Sequence, residues 1–202
     1  MRVDKRFLTM AGQITARSVV GYEALWVIYQ MALQSTRVTG NFLEAGVYKG
    51  GTARFLKMLL DENPREDRSL LLFDTFAGMP DVDPSQDIHK KGDFDDTSLA
   101  AVTEWVGQDH VRYYPGFMPQ TFAGLEDEVF AFAHIDVDLK SSVEACCAFV
   151  YPRMSPGGVI VFDDYGHRTC PGARVAVDEF FRDRPENPLA LPHGQAIVFK
   201  LP

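Results

Sequence analysis

The stretch Phe42-Leu-Glu-Ala-Gly-Val-Tyr-Lys-Gly-Gly51 decides how the rest of the chain is read. Phe42–Val47 is a short apolar run, broken by the glycines at 46, 50 and 51. Helical periodicity resumes at once, with Phe55, Leu56, Leu59 and Leu60 on one face until Pro64. The pattern is strand, tight turn, helix, which opens a βαβ unit. Glycine allows such a turn and lets backbone come close to a ligand. The spacing Gly46-x-x-x-Gly50-Gly51 is neither the GxGxxG of dinucleotide sites nor a P-loop. An ordinary strand-to-helix turn also favours glycine, so the loop alone does not name a ligand.

Working outward, Ala16–Gln34 carries Leu25, Ile28, Tyr29, Ala32 and Leu33 at helical spacing, within an N-terminal helical segment spanning 1–40. Ser69–Phe76 reads as a strand. Ala77–Thr97 has no periodicity and is rich in Asp, Pro, Gly and Lys; at about twenty residues it is long for a compact domain and reads as a lid or binding loop. A helix at Ser98–Val106 and a strand at Val111–Pro115 follow. Phe130–Val137 reads as a strand, Leu139–Phe149 as a helix, Pro156-Gly-Gly158 as a turn and Val159–Phe162 as a buried strand. Pro171–Phe181 is helical, with proline at its start. Leu189–Leu191 and Gln195–Lys200 form a terminal β-pair. The alternation predicts an α/β fold, one domain over 1–202, with a mainly parallel sheet covered by helices on both faces.

Composition narrows the classes of function. The 202 residues carry a net charge of -8, against a basic footprint for nucleic acid or an anionic membrane. The opening MRVDKRFLTM lacks the apolar core of a secretory signal, and apolar stretches such as Ala24–Tyr29 are too short to span a bilayer. Cys146, Cys147 and Cys170 offer no paired framework and no zinc spacing. A reducing cytoplasm is the expected location.

In open α/β sheets, ligands bind beyond the carboxyl ends of the strands. Here those ends are polar or glycine: Glu44-Ala-Gly46, Asp74-Thr75, Gly116, Asp136-Val-Asp138 and Asp163-Asp164. Glu44 beside the glycine loop suits a ligand ammonium group. Asp74 at the next strand end suits ribose hydroxyls, or simply caps a turn; loop and acid together favour a nucleoside. Strict alternation puts Asp136 and Asp138 on one face about 7 Å apart. Asp163 and Asp164 close the neighbouring strand and face one site only if that strand is already unwinding. Carboxylates crowded in this way require a cation or a proton. Oxygen-only ligands select Mg²⁺ before Mn²⁺ or Ca²⁺. The plainer alternative is that these acids cap helices and turns.

These residues resemble the metal-dependent class I methyltransferases of the macrocin O-methyltransferase (TylF) type, over about Phe42 to Phe180. The resemblance rests on Glu44–Gly51, Phe-Asp-Thr-Phe-Ala-Gly-Met-Pro (73–80), Gly-Asp-Phe (92–94), Pro-Gly-Phe (115–117), Asp-Val-Asp-Leu (136–139), and Ser-Pro-Gly-Gly (155–158) followed by Asp-Asp-Tyr (163–165). It implies a seven-stranded sheet with an antiparallel last strand and S-adenosylmethionine as cofactor. The methionine part would lie near Glu44, Gly46, Gly50, Gly51 and Thr52, the ribose near Asp74 and Thr75, with Asp93, Gly116 and Phe117 near or over the cofactor. By the same resemblance Asp136, Asp163 and Asp164 hold Mg²⁺, Asp138 is the general base, and the acceptor is a small-molecule hydroxyl, a sugar first. Family members often continue Asp-x-Asp-Leu with Tyr-Glu-Ser; here Lys140-Ser141-Ser142 stands there, which leaves the acceptor open.

His167 is the alternative base, since an imidazole titrates near neutral pH. His134, flanked by apolar residues, reads as a satisfied core histidine, and His89, His110 and His193 as loop residues without a role. Tyr165 and Arg168 are acceptor-pocket candidates from position alone. Two rival readings are a nicotinamide-dependent oxidoreductase, disfavoured by the glycine spacing, and a non-catalytic cofactor-binding module, disfavoured by the intact acids. A homo-oligomer stays open.

Overall fold

The structure, a computed structural model, describes residues 4–202. Residues 1–3, the start of the stretch read for a leader, lie outside the described residues. The elements in chain order are α1 (Lys5–Ile14), α2 (Tyr22–Ser35), β1 (Asn41–Ala45), α3 (Gly51–Asp61), β2 (Leu70–Asp74), α4 (Leu99–Val106), β3 (Val111–Pro115), β4 (Phe130–Ile135), α5 (Lys140–Val150), β5 (Met154–Phe162), α6 (Pro171–Phe181), β6 (Leu189–Ala190) and β7 (Ala196–Phe199).

The strands form one seven-stranded sheet in the order β3-β2-β1-β4-β5-β7-β6. The pairs from β3 to β5 are parallel, and β7 runs antiparallel to both β5 and β6. The expected α/β sheet with an antiparallel last strand is therefore present. Because side chains alternate across a strand, each strand feeds two cores. Phe42, Leu70, Leu72, Phe132 and Val161 join Phe7, Ile28 and Phe55 on the side of α1, α2 and α3. Leu43, Leu71, Phe73, Ile135 and Phe162 join Cys146, Cys147, Val177 and Phe181 on the side of α5 and α6. Burial on both faces explains why these strands read as continuous apolar runs.

The N-terminal reading is corrected. Within the expected helical segment 1–40, the helix expected over 16–34 begins only at Tyr22, and a separate helix precedes it. Asp4 caps α1 by accepting from the Arg6 N–H at 2.9 Å. Phe7, Met10, Ala11 and Ile14 are its buried stripe. The expected turn at 156–158 lies within β5: Met154 pairs with Phe130, Val159 with Phe132, and the residues between bulge out, with Gly157 at φ +81°. Strand β4 stops at Ile135, short of the expected Val137, so the alternation argument for Asp136 and Asp138 does not hold; Asp138 sits at φ +57°. The stretch 77–97 contains no helix or strand, as expected of a loop.

The C-terminal edge is tied down by Glu186, which is 3% exposed. It accepts from the Tyr151 hydroxyl (2.7 Å), Lys200 Nζ (3.0 Å) and the Leu201 N–H (3.2 Å). Burial opposes its ionisation, but these donors outweigh it and hold its pKa down at about 2. A depressed carboxylate stabilises the fold above its unfolded pKa and loses that contribution as pH falls toward the folded value. Glu186→Gln should therefore cost about 1–3 kcal/mol at pH 7, and the gap to wild type should narrow by pH 3.5. Urea unfolding at both pH values checks this; an unchanged gap would contradict it.

Candidate active site

The site forms where β1 and β4 lie side by side. Gly46, at the end of β1, has φ +86°, and a Cβ there would stand 1.6 Å from the Asp136 carbonyl oxygen. The Gly46 N–H donates to the Phe73 carbonyl at 2.9 Å, and the Asp136 N–H to the Ala45 carbonyl at 2.9 Å. The glycine loop and the acidic segment are thus in direct backbone contact. Gly51 serves a second approach: its Cβ would lie 2.6 Å from the Arg17 carbonyl oxygen, in the α1–α2 connector. Asp74 holds the loop from the other side, its Oδ2 accepting from the Val47 and Tyr48 N–H groups at 2.6 and 2.9 Å and its Oδ1 from the Phe76 N–H at 2.6 Å. These bonds realise the turn-capping alternative for Asp74. A carboxylate has about four acceptor positions; three are taken by these N–H groups, and the Thr75 hydroxyl lies 3.4 Å from Oδ1.

A cavity of about 290 Å³ opens at these strand ends. Among the residues proposed for the cofactor, Glu44, Gly46, Gly51, Thr52, Asp74, Thr75 and Phe117 line it. Asp136, Asp138, Asp163, Asp164 and His167 line it too. Gly50, Asp93 and Gly116 do not. Gly50 turns toward Val102 and Val106 of α4, Gly116 is hydrogen-bonded to the Asp74 carbonyl at the foot of its turn, and Asp93 supports His89 from behind. Tyr165 and Arg168 are also outside the lining; the Tyr165 hydroxyl donates to Asp178 at 2.7 Å.

A buried chain of polar groups underlies the cavity. Glu44 Oε1 lies 3.0 Å from His134 Nδ1, and His134 Nε2 lies 3.3 Å from Asp163 Oδ1, which also accepts from Gln195 Nε2 at 2.6 Å. His134 is the satisfied core histidine expected, yet its partners belong to the site. Burial disfavours its charged form, but Asp163 and Glu44 prevail and its pKa is raised well above the ordinary value. Burial likewise opposes ionisation of Asp163; the His134 hydrogen bond and charge outweigh it and lower its pKa. Glu44 is raised by burial, and its Oε2 is buried without a hydrogen-bond partner. Asp136 and Asp164 are raised well above the carboxylate range, first by burial and then by neighbouring aspartates. Asp138 is raised by burial as well.

Within each of two groups the donor atoms lie within 4.8 Å of one another: His134 with Asp136 and Asp163, and His89 with Asp138 and Cys170. Asp164, the third expected ligand, falls in neither group, and both ring nitrogens of His134 already face carboxylates; the burial and mutual repulsion of Asp136, Asp163 and Asp164 are nonetheless what a cation among their oxygens would relieve. The unpartnered Glu44 Oε2 likewise fits a cationic amine. His89 and Cys170 were missed as site residues by sequence reading; His89 lies in a loop, as expected, but borders the cavity. Its Nε2 is 3.3 Å from Asp138 Oδ1, but the long aperiodic loop that brings it there gives no spacing signal. The connector Arg17–Val20 also lines the cavity unannounced.

A seven-stranded sheet of this order, with an acid-lined cleft at the carboxyl ends, defines a methyltransferase-like α/β protein. Among solved structures, the O-methyltransferase NovP superposes with a TM-score of 0.83 at 24% identity, over 92% of this chain and 83% of that one. CalS11, a calicheamicin methyltransferase, gives 0.74 at 20% identity, over 98% of this chain and 94% of that one. At those identities the likeness is one of fold. The macrocin-O-methyltransferase (TylF) family matches residues 5–192, and the chain belongs to that family. It is 32% identical over 161 residues to the mycinamicin III 3''-O-methyltransferase of Micromonospora griseorubida, covering 73% of this chain and 62% of that protein. It is 28% identical over 184 residues to the demethyldecarbamoylnovobiocin O-methyltransferase of Streptomyces niveus, covering 82% and 68%. The matched region thus spans under two thirds of the first of these relatives. Among the described residues, no helix is long and apolar enough to cross a membrane.

The close approach at Gly46 is testable by comparison with Gly92, which has a similar φ of +87° but nothing within 4 Å of its would-be Cβ. Gly92→Ala should cost only about 1 kcal/mol of backbone strain, whereas Gly46→Ala should exceed about 4 kcal/mol or fail to fold. Similar thermal shifts for the two variants would show that backbone conformation, not the Asp136 contact, makes glycine necessary at position 46.

Proposed function

We propose that the protein is an S-adenosylmethionine-dependent O-methyltransferase acting on a hydroxyl of a small molecule, with a sugar-like acceptor, assisted by a divalent cation. The observation that carries the reading is that an unpartnered buried carboxylate oxygen, at Glu44, and four clustered aspartates border one cavity. When bound, S-adenosylmethionine supplies an electrophilic methyl group and a divalent ion, Mg²⁺ first, polarises the hydroxyl oxygen that attacks it.

The chain's own residues divide the work. Glu44 receives the ammonium group of the methionine part, and Asp74 the ribose while it keeps the glycine loop in place. Gly46, Gly51 and Thr52 allow close approach of backbone, and Thr75 and Phe117 border the nucleoside. Asp136, Asp163 and Asp164 hold the cation. Asp138 takes the hydroxyl proton onto its carboxylate, with His167 the alternative base. The loop 77–97, with Gly78, Met79, His89 and Phe94 in the cavity wall, keeps water from the reacting groups. A glycosylated or sugar acceptor is supported by the relatives, among them the mycinamicin III 3''-O-methyltransferase and an 8-demethyl-8-(2,3-dimethoxy-alpha-L-rhamnosyl)-tetracenomycin-C 4'-O-methyltransferase.

Binding of S-adenosylhomocysteine measured by calorimetry, and turnover of methyl 6-deoxyhexosides and catechol, test the reading. Wild type should bind the product cofactor, and EDTA should abolish turnover, with recovery on adding Mg²⁺. Turnover indifferent to chelation would remove the cation and leave methyl transfer standing; failure to bind S-adenosylhomocysteine would end the whole reading. Asp74→Ala should weaken cofactor binding at least about tenfold, the loss of one or two charge-assisted hydrogen bonds. Asp164→Asn should raise the Mg²⁺ concentration needed for half-maximal rate. Asp138→Asn should lower kcat about 10²–10⁴-fold with cofactor affinity little changed; normal turnover would transfer the base role to His167.

A further inference from the structure

His89 is carried by the loop 77–97 and not by any strand end, yet it reaches the proposed base. Its Nε2 lies 3.3 Å from Asp138 Oδ1, and its Nδ1 lies 3.2 Å from Asp93 Oδ2. Asp93 is fixed in turn: Oδ2 accepts from the Lys90 N–H at 3.0 Å, and its carbonyl accepts from the Met79 N–H at 2.8 Å, closing the loop's base. Two residues before His89, the loop docks independently on the same segment. Asp87, 8% exposed, accepts from the Lys140 N–H at 3.0 Å and so caps the start of α5. Gly172 makes room for this dock, since a Cβ there would lie 2.6 Å from Lys140 Cβ and 2.8 Å from Asp87 Oδ1.

From the other side, Cys170 Sγ donates to Asp138 Oδ1 at 3.1 Å. Both groups therefore fall on one carboxylate oxygen. Among the described residues no hydrogen bond is made to Asp138 Oδ2, and Asp138 borders the cavity. Asp138 is itself in the left-handed region, φ +57°, with its N–H committed to Asp164 Oδ2 at 2.9 Å. With the backbone so constrained, the side chain keeps its χ1 and χ2 torsions, and contacts from His89 and Cys170 to one carboxylate oxygen restrict both.

We propose that His89 is the positioning residue for Asp138, and that docking of the loop 77–97 therefore assembles the base at the same moment as it covers the site. The proposal rests on the reading of Asp138 as the base. Loop and base are coupled through one imidazole, backed by Asp93, while Asp87 supplies the anchor. A loop that has not docked leaves Asp138 held by Cys170 alone and free to turn away from the acceptor hydroxyl. Misorientation of this kind lowers the rate at saturation more than it lowers affinity.

The test uses the full chain with Mg²⁺, S-adenosylmethionine and the methyl 6-deoxyhexoside that wild type turns over fastest. His89→Ala should lower kcat 10- to 100-fold, with KM for the glycoside and the dissociation constant of S-adenosylhomocysteine within about threefold of wild type. His89→Gln, which keeps an N–H donor on a side chain of similar reach, should recover most of the rate. In an Asp138→Asn background, His89→Ala should cause no further loss, the signature of two residues acting as one unit. Hydrogen exchange over 83–93 should rise in both His89→Ala and Asp138→Asn. Equal loss in His89→Ala and His89→Gln accompanied by weakened cofactor binding would reduce His89 to a structural role. Full additivity with Asp138→Asn, or a normal kcat in His89→Ala beside a dead Asp138→Asn, would overturn the proposal while sparing the base. Normal turnover in Asp138→Asn itself would overturn the base reading, and this proposal with it.

Discussion

The contact between Gly46 and the Asp136 carbonyl is the constraint on which the site depends. It lies between β1 and β4, where the strand order turns from β1-β2-β3 on one side to β4-β5 on the other. Chain leaves the sheet in opposite directions at such a point and opens a crevice at the carboxyl ends. Pairing of Ala45 with Ile135 brings the glycine loop against the acidic segment, and the missing side chain at 46 lets the backbones meet. A ligand held by the first is therefore beside anything held by the second.

That proximity has an electrostatic cost. Asp136, Asp138, Asp163 and Asp164 lie close enough to shift one another, in surroundings that disfavour charge. Part of the strain is relieved internally. His134 sits between Glu44 and Asp163, so one buried imidazole, carrying at most a single positive charge, bridges a residue of each half of the site. The remainder is what a bound cation would offset. The same histidine makes the two halves mechanically one: a shift of either carboxylate moves the ring that holds the other.

The loop 77–97 makes up the third side. Its far end is latched to the glycine loop, where Asp96 pairs with Lys49 and accepts from the Tyr48 hydroxyl. Its middle is docked on Asp138–Lys140 through His89 and Asp87. A segment without helix or strand is thus ordered by polar anchors on two separate walls of the cavity. The anchors at Asp96 are exposed, whereas those at Asp87 and His89 are largely buried.

Much of the fold and part of the site follow from the sequence. The apolar runs at 42–45, 70–73 and 159–162 and the helical stripe at 55–60 give the strand–helix alternation, and the polar residues that close the strands give the edge where Glu44, Asp74, Asp136 and Asp163 gather. These are local properties, written in hydrophobic period and strand-end chemistry. The bulge at 155–158 and the left-handed turn at Asp138 are not written there. Each depends on packing or pairing with residues far along the chain. The same is true of His134 as a bridge and of His89 and Cys170 beside Asp138, partners separated by 49 and 32 residues. The first link runs through an aperiodic loop, and distance in space is set there by hydrogen bonds that no spacing rule encodes. Sequence determined which residues could do chemistry at the sheet's edge; only the tertiary structure decided which of them touch.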